Sequence, residues 1–72
     1  MNEKRHSCCI LILTYKGKYH LEFLLPTVRT AMKQVPDGFD VNVLVIDNGH
    51  DEPTRDFVKE HFPDFRFEFS PV

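Results

Sequence analysis

A dense apolar run that passes straight into a polar turn occurs twice in this chain, and that repetition constrains the fold more than any other feature. The first copy is Cys8-Cys9-Ile10-Leu11-Ile12-Leu13, followed by Thr14-Tyr15-Lys16-Gly17-Lys18. The second is Val41-Asn42-Val43-Leu44-Val45-Ile46, followed by Asp47-Asn48-Gly49-His50-Asp51. An almost unbroken apolar run of about six residues between turn signals reads as a strand buried on both faces. Strands of that kind belong to parallel sheets with helices on both sides. Ligands of such folds gather at the carboxyl ends of the strands, where both polar turns lie.

The intervening segments complete the pattern. Met1 to His6 reads as a frayed polar start and Ser7 to Leu13 as the first strand. From Tyr19 to Val35, Leu21, Leu24, Leu25, Val28, Ala31 or Met32, and Val35 recur at helical spacing. Pro26 interrupts them, because proline deletes a helical hydrogen bond and crowds the preceding turn. The regular helix is therefore expected either to begin near Leu25 or to follow an irregular, kinked turn. Pro36-Asp37-Gly38 stops it. After the strand Val41 to Ile46, Asp51 is a candidate N-cap, with Glu52 and Pro53 suited to a first turn. This second helix is expected to reach about His61 and to turn Phe57, Val58 and Phe62 to the sheet. Phe65-Arg66-Phe67-Glu68-Phe69 alternates strictly, as an edge strand with one apolar face does.

Strand, helix, strand, helix, strand predicts an α/β fold: a three-stranded parallel βαβαβ unit, a Rossmann-like half-domain in the spatial order third, second, first. At 72 residues the chain holds at most one small domain. Its most apolar strand then lies at an open edge, which proteins normally cover or pair. Residues 1–72 are accordingly expected to be a single partial domain, with further strands added beside Cys8–Leu13 after Val72. The chain alone is expected to self-associate or to lack a carboxyl-terminal half.

Composition removes several function classes. A net charge of −2 offers no electrostatic case for binding nucleic acid. The two adjacent cysteines point to opposite faces of a strand and do not suit a crosslink, which favours a reducing, cytoplasmic setting. The apolar run after the polar start is too short for a signal peptide or a membrane span. His6, His20, His50 and His61 show no paired ligand spacing, Cys8-Cys9 is not a C-x-x-C, and no metal site is expected within the chain. No nucleophile, base and orienting acid can be assembled, so no catalytic residue is assigned.

Two turns remain as binding candidates. Thr14, Tyr15 and Lys16 offer a hydroxyl, a ring and a cation, suited to a base or ribose beside Tyr15 and a diphosphate near Lys16 or Lys18. The same residues also make an ordinary solvated loop; they form neither a Walker A nor a G-x-G-x-x-G turn. Asp47 can accept from a pyrimidine N–H or from ribose hydroxyls, with Asn48 and Gly49 beside it. It can equally serve an Asx-turn or a helix cap. If it binds ligand, Asp47→Asn should weaken binding more than stability.

Ile10-Leu11-Ile12-Leu13-Thr14-Tyr15-Lys16, a helix ending in Met32-Lys33-Gln34-Val35-Pro36, and Val43-Leu44-Val45-Ile46-Asp47-Asn48-Gly49 together resemble the amino terminus of family 2 glycosyltransferases, which have the GT-A fold. The resemblance spans nearly the whole chain. It implies that Thr14 and Tyr15 line the base and ribose pocket of a nucleotide-sugar, UDP- or another NDP-linked. Asp47 would contact the base, and residues 48–50 would border the donor pocket. Asn48 stands where aspartate is common, and His50 where serine is common. The resemblance also implies a divalent ion, Mg²⁺ or Mn²⁺, in a full-length protein only. The family's metal-binding Asp-x-Asp and its acidic base have no counterpart in residues 1–72. The resemblance leaves membrane association of a longer protein open, and the isolated chain is expected to be inactive. The alternative is a small α/β module that binds a nucleotide or a protein without chemistry. A receiver-like domain fits less well, since Thr14-Tyr15 replaces the acidic pair that it would need.

Overall fold

The computed structural model describes residues 6–71. The elements are β1 (His6–Thr14), α1 (Lys18–Met32), β2 (Phe39–Asp47), α2 (Glu52–His61) and β3 (Arg66–Phe69). The strands form one parallel sheet in the order β1-β2-β3, as expected for a small βαβαβ unit. Residues 1–5 of the polar start lie outside the described residues. His6, assigned to that start by its polarity, begins β1 and stacks on Phe39, its partner in register, at 5.1 Å. Asp47, expected just beyond β2, is its last residue.

The core lies between one face of the sheet and both helices. Leu21 and Leu25 of α1, Val43 and Val45 of β2, Val58 of α2, and Phe65 are buried, with Ile10, Ile12, Val28, Met32 and Phe67 packed around them. Register places Ile10 beside Val43, and Ile12 beside Val45 and Phe67, so these residues share the covered face. The other face carries Leu11, Leu13, Leu44 and Ile46, with Arg66 and Glu68 from β3 in the same rows. Leu11 is 55% exposed and Leu13 is 73% exposed. This corrects the expectation of strands buried on both faces. Two crossovers that step the same way across a sheet, each of the favoured hand, put both helices on one side. The shortest dimension, 16 Å, accommodates one sheet and one layer of helices.

Pro26 does not divide α1. The helix starts at Lys18, well before Leu25, and runs through the proline without a break. The missing N–H would have met the Glu22 carbonyl, and both residues are on the exposed side, where water can serve that carbonyl. On α2, Asp51 caps as its sequence position suggests. Its Oδ2 accepts from the Thr54 N–H at 3.2 Å and from the Thr54 hydroxyl at 2.7 Å. Val58 is buried beneath α2, Phe57 and Phe62 half-buried. Phe62 stacks on Phe65 at 5.1 Å, and the Arg29 guanidinium lies 4.6 Å from the Phe65 ring, joining α1 to the turn before β3.

Candidate functional site

Parallel pairing brings the ends of the two apolar runs level. Thr14 lies opposite Asp47, and Asp47 opposite Phe69. Each strand end then accepts from the residue just past its neighbour's end. The Asn48 N–H donates to the Thr14 carbonyl at 2.8 Å, and the Ser70 N–H to the Asp47 carbonyl at 2.9 Å. The turns after β1 and β2 therefore sit side by side at one end of the sheet, although they lie more than thirty residues apart in sequence.

The Asp47 side chain clamps those turns together and is fully buried. Oδ1 accepts from the Lys16 N–H at 2.7 Å, across the two loops. Oδ2 accepts from the Asp51 N–H at 2.6 Å, within its own loop. Both bonds are charge-assisted, the stronger kind of hydrogen bond. Asp51 in turn caps α2, so one chain of bonds runs from the β1–α1 turn to the second helix. The capping considered for Asp47 thus falls to Asp51, and Asp47 holds the loop that presents it.

Close backbone approach tightens the same region. A side chain at Gly17 would overlap the Thr14 hydroxyl. A Cβ at Gly49 would meet the Lys16 side chain at 2.5 Å and its backbone nitrogen at 3.1 Å. Lys16 and His50 adopt left-handed backbone, with φ of 49° and 51°, a conformation that side chains with a Cβ rarely take. His50 is held there on two sides: its ring stacks on Phe69 at 5.2 Å, and Nε2 donates to the Ser70 carbonyl at 2.5 Å.

Two open depressions flank Thr14 and Tyr15. One, of about 490 Å³, is lined by Leu13, Thr14, Tyr15, Ile46, Asn48 and Ser70. The other, also about 490 Å³, runs along the β1–α1 turn past Tyr15, Lys16, Gly17, Tyr19 and His20. Tyr15 is 67% exposed, with the Lys16 ammonium 5.7 Å from its ring centre. Of the residues singled out from sequence, Thr14, Tyr15 and Asn48 share the first depression, and Lys16 lines the second. Asp47, fully buried, lines neither, and Gly49 packs on Lys16. Ser70 was not foreseen. Counting register from Asp47 to Phe69 would have placed it at this end of the sheet. Thr54 was missed too, although it precedes Val58 by one helical turn and so shares its buried face.

The described side chains around these turns form no cluster of metal ligands: among the described residues, no three His, Cys, Asp or Glu side chains group together. The nearest carboxylates, Asp47 and Asp51, are already bonded to backbone N–H groups and to Thr54. A third depression, of about 450 Å³, lies away from the two loops, beside the start of β3, and is lined by Lys59, Pro63, Phe65, Arg66 and Phe67. Among the described residues no helix is long and apolar enough to cross a membrane. No protein-family model, curated protein or solved structure matches this chain.

Proposed function

We propose that the chain is the donor-binding segment of a glycosyltransferase, holding a nucleotide-diphospho-sugar at the carboxyl ends of β1 and β2. The carrying observation is that Thr14, Tyr15 and Asn48, from two separate turns, line one depression at that end of the sheet. Exposed ring, hydroxyl and amide groups offer stacking and hydrogen bonds to a base and ribose. Lys16 lines the adjoining depression, and its ammonium group and that of Lys18 would serve a diphosphate. Asp47 acts in this reading chiefly as a positioning residue. Its oxygens keep two of their lone-pair directions, but a base reaches them only if the turns part. Transfer of the sugar needs a leaving-group ion and a base that these residues do not supply, so no chemical step is assigned to them.

Titration of uridine diphosphate into isotope-labelled chain tests the reading. The expected outcome is weak binding, with resonance shifts at Thr14, Tyr15, Lys16, Asn48 and Gly49. Silence at millimolar ligand would sink it, as would shifts confined to Lys59, Phe65 and Arg66. The second reading is a small α/β module that binds a nucleotide without chemistry. That reading expects the same shifts with nucleotides bearing no sugar, and no gain in affinity when the sugar is attached.

A further inference from the structure

The two edges of the sheet are built differently. The β3 edge is four residues long, carries Arg66 and Glu68 joined at 3.0 Å, and lies between Pro63 and Pro71. Short length, charge and flanking proline are the usual ways of keeping an edge from pairing. The β1 edge has none of these. It runs for nine residues, His6–Thr14, without a Lys, Arg, Asp, Glu or Pro, and among the described residues it pairs only with β2.

The surfaces above and below that edge are apolar as well. Below it, Leu11 and Leu13 are exposed on the open face. Above it lies α1. Arg29 marks the flank of α1 that faces α2, since it binds Asp64 at 2.6 Å and covers Phe65. Leu24 and Ala31 are roughly 140° and 160° around the helix from Arg29, on the opposite flank, over the β1 edge. Leu24 is 41% exposed there.

We infer that the 72-residue chain dimerises through β1, two copies pairing antiparallel about a two-fold axis to make one six-stranded sheet. A second copy fits because the strand carries no Lys, Arg, Asp or Glu: antiparallel self-pairing about its centre opposes mostly apolar side chains and sets His6 against Thr14, not against a second His6. Area sets the strength. A nine-residue edge is roughly 30 Å long, and with its flanking side chains buries on the order of 900 Å² in total. Stable interfaces bury about 1,200 Å² or more, so an interface of this size is a weak one, and its dimer depends on concentration.

Sedimentation from low to high micromolar concentration tests this, under reducing conditions so that Cys8 and Cys9 do not link copies. The expected result is a concentration-dependent dimer, with amides of His6–Thr14 gaining exchange protection as it forms. Leu11→Lys and Leu13→Lys place a charge on the edge at exposed positions and should weaken dimerisation by about tenfold or more. Phe23→Lys, at an 81% exposed site on the outer face of α1, should leave it unchanged. A monomer at every concentration overturns the inference. So does a dimer lost with Phe23→Lys, or one indifferent to both leucine variants and without new protection in β1.

Discussion

The Asp47 carboxylate accepts one backbone N–H on each oxygen in a fully buried position, and this changes what its substitution should do. Asparagine can present an oxygen to only one of the two donors; its NH₂ group faces the other. Leaving that donor unsatisfied should cost about 2 kcal/mol, a fall in Tm of roughly 10 °C. Thermal melting of Asp47→Asn checks this, and the outcome expected from sequence alone, intact stability with weakened binding, would contradict the clamp. The neighbourhood of Thr14 and Asp47 was legible in the sequence, because both residues end apolar runs and parallel strands end together. The clamp was not. It depends on the Lys16 N–H turning toward Asp47 in a loop where Lys16 itself takes left-handed backbone, and no side-chain pattern announces such a turn at a lysine. Ser70 was hidden for a similar reason: only the register brings it to Asp47.

At the scale of elements, strands and helices were legible because their apolar spacing matches their backbone periods. The start of α1 was not, since Pro26 argues against helix more strongly than its exposed position warrants. Pro26→Ala should restore the bond to the Glu22 carbonyl and remove ring crowding in the preceding turn. The expected gain is about 1 kcal/mol or more, or at least ~5 °C in Tm by calorimetry. A second link joins elements at the surface. Both Asp64 oxygens accept from the Arg29 guanidinium, at 2.6 and 2.7 Å. These bonds hold the Asp64 carboxyl below its usual pKa and raise that of Arg29. A folded-state pKa below the unfolded value means that the pair stabilises the fold above the ordinary aspartate range. That contribution fades as pH falls through the lower, folded value. Between about pH 5 and pH 2 the native chain should therefore lose Tm faster than Asp64→Asn does, by a small and salt-sensitive margin. Parallel slopes would show that the pair contributes nothing.

The described residues form one sheet with a single helical layer, and its open face was the least legible feature. Leu11 and Leu13 have the composition of buried residues, and hydropathy cannot report that both crossovers fall on the other side. The Asp47 clamp has a further consequence, in the order of folding events. Lys16 and Asp47 are separated by α1 and most of β2, and their bond requires the parallel pair to have closed in register from His6 to Thr14. Pairings of that sequence separation come late, after loop closure has been met by the core contacts of Leu21, Leu25, Val43 and Val45. The clamp should therefore be absent from the folding transition state. In stopped-flow kinetics, Asp47→Asn should leave the refolding rate almost unchanged and put nearly all of its destabilisation into faster unfolding, a φ-value close to zero. The residue that joins the two turns would then govern how long the native state persists and have little influence on how quickly it is reached.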